Sequence, residues 1–227
     1  MRVVDLSVYL VLDPAMSGEF GPAATARAAV AGGATVVQIR AKSASTAELV
    51  ALGREVRRAL AATPVPLVIN DDPDAAVALS ADGLHVGQDD IPADEARAII
   101  GIRMALGVSV DTVAQAEAVD PRVVDHVGVG PVFATATKPE ARPPLGLDGL
   151  ARVVAASPVP AVAIGGLAVD HVPAVFRAGA RGVAVVSAIC GRPDPRAAAH
   201  ELRHAVQVAR EDAREHELRR DVPGGPW

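Results

Sequence analysis

The sequence predicts a single (β/α)8 TIM barrel of the α/β class, and three observations point there. A short apolar run followed by an alanine-rich amphipathic stretch recurs eight times in 227 residues, which is the element count and the length of such a barrel. The connections between these stretches are short, so each strand-to-strand crossover needs a helix and the sheet must be parallel. Half of the residues are hydrophobic but only 2% are aromatic. The core must therefore be built from Ala, Val, Leu and Ile, which suits strands covered on both faces.

Taken in order, the expected strands are the apolar runs at 8–12, 36–40, 67–70, 83–86, 105–109, 126–129, 161–164 and 183–186. The expected helices follow them at 22–32, 46–61, 73–80, 92–100, 111–119, 147–156, 169–178 and 194–211. Thr46, Asp111, Asp148 and Asp170 stand where a side-chain oxygen can accept from the free amides of a first helical turn. Gly32-Gly33, Gly101 and Gly179 fit helix ends. An open doubly wound sheet would place a glycine fingerprint after its first strand, whereas Leu12 is followed here by Asp13-Pro14. The barrel is expected over residues 1–210. From Glu211 the apolar stripe is lost, so 211–227 are expected to form a polar, frayed tail.

Composition excludes several function classes. A net charge of −5 argues against a nucleic-acid or anionic-membrane partner. No basic segment precedes an apolar one at the N-terminus, and no apolar run is long enough to span a bilayer. With Cys190 as the single cysteine, neither an intramolecular disulfide nor a cysteine metal cage is possible. A cytoplasmic enzyme acting on small molecules is expected, with its oligomeric state open.

The chemistry of such a barrel lies at the C-terminal ends of its strands, and there the chain places its rarest residues. Lys42 and Lys138 are the only lysines among 22 basic side chains, and Asn70 is the sole asparagine. In QIRAK, period-two alternation puts Gln38, Arg40 and Lys42 on one side, facing the mouth. An inward Arg and Gln need a buried partner, which an anionic ligand supplies; the alternative is that Arg40 pairs with a neighbouring carboxylate. Asn70-Asp71-Asp72 follows strand three and Gly87-Gln88-Asp89-Asp90 follows strand four. Acidic pairs on adjacent strand ends repel one another unless a cation sits between them. Hard oxygen donors without thiolate indicate Mg2+, held by one carboxylate of each pair together with substrate phosphate oxygens and water. Asp72 and Asp89 have a competing use as turn or cap residues.

Ser109 ends strand five. The stretch Gly130–Lys138, GPVFATATK, follows strand six and offers Thr135, Thr137 and Lys138. Retaining lysine in an arginine-rich chain suggests a need for a compact, flexible ammonium. Gly165-Gly166 after strand seven and Val186-Ser187 after strand eight occupy the loops where these barrels commonly hold a phosphate on glycine amides and a short helix N-terminus. His85 and His126 fall in strand positions, where a satisfied core or rim histidine is commoner than a catalytic base. No serine–histidine or cysteine–histidine pairing supports covalent catalysis. Two phosphate regions, a cation site and no nucleophile fit a transfer in which a diphosphate leaves and electrostatics carry the chemistry.

The series VQIRAK, IND, ADGLHVGQDDIP, GPVFATATKP, AIGGL and GVAVVSAI, in this order and spacing, resembles the thiamine-phosphate synthase family over about residues 8–190. HVGQDD and GPVFATATK carry most of the likeness; AIGG alone is shared by many phosphate-binding barrels. The resemblance implies Mg2+-dependent joining of a hydroxymethylpyrimidine diphosphate to a thiazole phosphate, or its carboxylated form, to give thiamine phosphate and diphosphate. It implies that Gln38, Arg40, Lys42, Asn70, Ser109 and Lys138 bind the pyrimidine diphosphate, with Lys138, Arg40 and Ser109 as the catalytic set. It further implies that Asp71 and Asp90 hold Mg2+, and that Thr135, Thr137, Gly166, Val186 and Ser187 bind the thiazole phosphate. Two positions depart from the family pattern. A histidine frequent after the strand-five serine is absent from Val110-Asp111-Thr112, and His126 stands where a tyrosine is common.

Two rival readings follow from the same residues. A thiazole tautomerase of related fold is expected to carry histidine where this chain has Pro131 and to lack a complete diphosphate site. A non-catalytic phosphate-binding barrel would keep AIGG and VVS but has no need of both acidic pairs and both lysines.

Overall fold

Eight parallel strands close on one another in sequence order, β1 pairing with both β2 and β8. They are β1 (Val8–Leu12), β2 (Val36–Ile39), β3 (Leu67–Asn70), β4 (Gly83–Val86), β5 (Ala105–Val110), β6 (His126–Val129), β7 (Ala161–Ile164) and β8 (Gly182–Val185). The helices between and after them are α1 (Gly21–Gly32), α2 (Thr46–Ala59), α3 (Pro73–Leu79), α4 (Ala93–Ile100), α5 (Val113–Glu117), α6 (Gly146–Ala156), α7 (Val172–Arg177) and α8 (Pro195–Arg220). This computed structural model describes residues 4–135 and 142–220, with side chains through residue 214. Among the described residues, no helix is long and apolar enough to cross a membrane.

Alternation along each strand divides the molecule into two cores. Val8, Leu10 and Leu12 point outward and join Val37, Ile39, Ile69, Leu84 and Leu106 in the shell between sheet and helices. The other side of the strands builds the barrel interior, where Tyr9, Val11, Val36, Val68, Val162 and Ala184 pack together. Fully burying each large aliphatic side chain contributes about 1.5–3 kcal/mol, so the aromatic-poor composition still supplies a sufficient core.

The expected strands all form, with ends that move by one residue: β2 stops at Ile39, β5 extends to Val110 and β8 begins at Gly182. The caps differ more. Ser45, not Thr46, caps α2, and with Glu48 it forms a reciprocal capping box. Thr112, not Asp111, caps α5 through a box with Gln115. Asp148 and Asp170 lie inside first turns and cap nothing. In both boxes the residue with extended backbone and a Glu or Gln three positions on wins, because that pairing satisfies two orphan amides at once. Gly33 accepts a left-handed conformation (φ 111°) at the end of α1, where its amide returns to Ala29 and Val30. The last helix continues past residue 211 to Arg220, through residues that are mostly good helix formers.

Candidate active site

The strand ends open into a cavity of about 350 Å3. Gln38, Arg40, Lys42, Asn70, Asp71, Asp90, Ser109, Thr135, Gly166, Val186 and Ser187 all line it, so residues separated by up to 149 positions meet at one mouth. Thr137 and Lys138 lie outside the described residues.

The floor is a polar chain inside the barrel. The Tyr9 hydroxyl donates to Gln38 Oε1 (2.8 Å), and Gln38 Nε2 donates to Asn70 Oδ1 (2.8 Å). This gives the buried Gln38 its partners and leaves the Asn70 amide hydrogens available to a ligand. His85 Nε2 lies 2.9 Å from Ser109 Oγ, and Gln88 Nε2 donates to the Ser109 carbonyl (2.6 Å). His126 lines the same cavity from β6, and burial pushes its imidazole down to about 4, so it is neutral at physiological pH. Its Nε2 is buried without a hydrogen-bond partner among the described residues, a condition that costs about 1–3 kcal/mol.

At the rim the first acidic pair separates by role, while Asp89 and Asp90 of the second both line the cavity. Asp72 caps α3: its Oδ1 accepts from the Ala75 amide and its Oδ2 from the Thr46 hydroxyl, both at 2.7 Å. Asp71 turns the other way. It holds φ 65°, a left-handed conformation that a non-glycine residue adopts at a cost on the order of 1–3 kcal/mol. Its amide donates to the His85 carbonyl (2.8 Å), which fixes this turn onto β4. Burial first, then the hydrogen bond and charge of Asp90, push the Asp71 carboxyl up to about 7, while Lys42 and Arg40 pull against that rise. Asp90 also accepts from the Gly87 amide (2.8 Å). Arg40 does find a carboxylate, Asp13 at 3.8 Å, and it still faces the cavity.

Opposite the carboxylates, the loops after β6 and β7 are laced together. The Val132 amide donates to the Ile164 carbonyl (2.9 Å) and the Phe133 amide to that of Gly165 (3.0 Å). Gly165 and Gly166 have φ of 99° and 63°. A Cβ on Gly166 would lie 2.6 Å from the Ala134 carbonyl oxygen, and one on Gly165 would lie 2.6 Å from Pro131 Cα. Conformation and close approach both require glycine here. After β8 the chain makes a turn, with the Ile189 and Cys190 amides returning to the Val186 carbonyl, where a short helix was expected.

Sequence reasoning passed over Tyr9, His85, His126, Asp111 and Arg142 as cavity residues. The strand alternation that selected Gln38 also places Tyr9, His85 and His126 inside, so that signal was present. The Arg142–Asp111 ion pair (Nε to Oδ2, 3.0 Å) joins two loops distant in sequence and had none.

The chain and its fold have counterparts among known proteins. Residues 8–189 match the family model described as thiamine monophosphate synthase. A thiamine-phosphate synthase of Chloroflexus aurantiacus is 45% identical over 93% of this chain and 98% of its own length. One from Xanthobacter autotrophicus is 48% identical over 91% and 98%. The solved structure of a thiamine phosphate pyrophosphorylase from Pyrococcus furiosus superposes with a TM-score of 0.82 at 33% identity, covering 91% of this chain and 98% of that one.

Proposed function

The chain belongs to the thiamine monophosphate synthase family, and we infer that it is a transferase making thiamine phosphate. It joins a hydroxymethylpyrimidine diphosphate to a thiazole phosphate and releases diphosphate. The observation that carries this reading is the crowding of Asp71 and Asp90 beside Arg40 and Lys42, above a floor of uncharged hydrogen-bonding groups. Such an arrangement suits a ligand with a polyanionic end and a heterocyclic end.

The residues present fit Mg2+. Two carboxylates face each other, and one stays protonated near neutrality unless a cation relieves the repulsion. Among the described residues no group of three potential ligands gathers, which leaves coordination positions for substrate oxygens and water. Asp71 and Asp90 would hold the ion, which when bound supplies positive charge to the departing diphosphate.

The remaining roles belong to the chain's own groups. Arg40 and Lys42 neutralise diphosphate oxygens, and Lys138 meets the same group from the loop after β6. Asn70 and Ser109 orient the pyrimidine over the Tyr9–Gln38 floor. The Gly165-Gly166 turn, Ser187, Thr135 and Thr137 take the thiazole phosphate. Diphosphate departs first, and the pyrimidine cation is captured by the thiazole nitrogen, whose own lone pair makes a general base unnecessary. Holding the two halves in line contributes on the order of 7–11 kcal/mol to lowering the barrier. An acidic chain with one buried, unpaired cysteine suits the cytoplasm, where we place the reaction.

The test is direct. The purified chain given both phosphorylated halves and Mg2+ is expected to form thiamine phosphate and diphosphate in equal amounts, and to leave the thiazole phosphate unchanged when it is supplied alone. Rearrangement of the thiazole half alone, or no product from the two together, contradicts the assignment.

A further inference from the structure

Three rings close the bottom of the cavity: Tyr9 on β1, His85 on β4 and His126 on β6. The His126 ring centroid lies 6.1 Å from that of Tyr9 and 5.8 Å from that of His85. Tyr9 is engaged with Gln38, and His85 Nε2 with Ser109. His126 is 5% exposed, and its Nε2 has no hydrogen-bond partner among the described residues.

Gly107 on β5 determines what that nitrogen faces. A Cβ on Gly107 would lie 2.5 Å from His126 Nε2 and 2.5 Å from His85 Nδ1. The absent side chain therefore leaves both ring nitrogens next to the same point, in a place that any other residue would fill. Between neutral imidazoles, one nitrogen of each ring donates and the other accepts, and the bond made at one nitrogen sets what the other can do.

We propose that His126 is a positioning residue that fixes the tautomer of His85 and, through it, the direction of the Ser109 hydroxyl. His126 Nε2 keeps its lone pair and accepts from His85 Nδ1–H, the gap closing by rotation about the broad χ2 torsions of the rings. His85 Nε2 is then an acceptor, so the Ser109 hydroxyl donates to it. The Ser109 oxygen is left with lone pairs toward the cavity, ready to accept from an amino group on a heterocyclic substrate. Asn70, with spare amide hydrogens, supplies the complementary donors. The recognition step rests on the proposed function; the tautomer does not.

Long-range 1H–15N correlation spectra of the imidazoles in the folded, ligand-free chain test the relay. His85 is expected as the Nδ1–H tautomer in the wild type, and His126→Phe is expected to abolish that preference. In steady-state assays His126→Phe should raise the KM for the pyrimidine diphosphate by about tenfold, the loss of one hydrogen bond to a buried site. The KM for the thiazole phosphate should stay the same, and His126→Gln, which restores an acceptor, should recover much of the loss. A wild-type His85 protonated on Nε2, or an unchanged tautomer in His126→Phe, overturns the relay. An intact tautomer pattern in a chain that makes no thiamine phosphate would leave the relay standing and refute the proposed function.

Discussion

Asp82 and Asp125 precede β4 and β6 at one end of the barrel; Asp71 and Asp90 follow β3 and β4 at the other. At the first end both carboxylates are answered. Asp82 Oδ2 accepts from the Leu67 amide (3.0 Å), with Arg57 at 3.7 Å. Asp125 Oδ2 accepts from the Leu106 amide (2.8 Å) and from Arg97 (2.7 Å). At the second end Asp71 and Asp90 face each other, Asp71 on a left-handed backbone, and burial together with Asp90 outweighs the pull of Lys42 and Arg40 on the Asp71 carboxyl. The same residue type thus fastens strands together at the base and sets two carboxylates against each other at the mouth, the division between stability and chemistry expected of this fold.

Substitutions should reverse their consequences between the two ends. The largest effect is expected for Asp71→Asn: turnover should fall by about 10²–10³-fold, as for loss of a preorganised charge-stabilising group, while the melting temperature holds or rises. Loss of stability without loss of turnover would move Asp71 to the structural class. Next, Asp125→Ala should cost about 2–3 kcal/mol in urea unfolding, because Arg97 and the Leu106 amide lose a charged acceptor. The protein that remains folded should turn over normally.

A smaller change is expected at the lysine retained beyond β6. Lys138→Arg keeps the charge but should lower kcat about tenfold, since a planar guanidinium does not replace a compact ammonium. Unchanged kinetics would make Lys138 an incidental surface residue. The smallest effect is a pH slope. The Asp71 carboxyl sits at about 7 in the folded chain against 3.8 ordinarily, so the folded state binds more protons than the unfolded state between those values. Without metal, stability should fall as pH rises through that window. Thermal melts should lose this slope in Asp71→Asn and, above neutral pH, regain stability with Mg2+.

Much of this was readable from local pattern. Alternation and run length located the eight strands, and the same alternation placed Gln38, Arg40 and Lys42 at the mouth. It also put His85 and His126 inside, but residue type alone does not distinguish a satisfied core histidine from one whose nitrogen is left open. That difference comes from Gly107, a strand away. The helix caps were misplaced by one residue because Ser45-Thr46 and Asp111-Thr112 each offer two capable oxygens, and backbone geometry chooses between them. Which acidic residue of the first pair faces the mouth was likewise hidden, because either could cap α3, and it is Asp72 that binds the Ala75 amide and Thr46; Asp89 and Asp90 both line the cavity.

In the proposed function the opposed carboxylates at the mouth would hold a cation required for departure of diphosphate. The most direct measurement follows thiamine phosphate formation from both phosphorylated halves in Mg2+ and in EDTA, side by side for the wild type and Asp71→Asn. Rapid wild-type synthesis with Mg2+, none in EDTA, recovery on adding excess Mg2+, and little product from the variant under any condition are the predicted results. Equal synthesis in EDTA, or full Mg2+-dependent activity in Asp71→Asn, would contradict it.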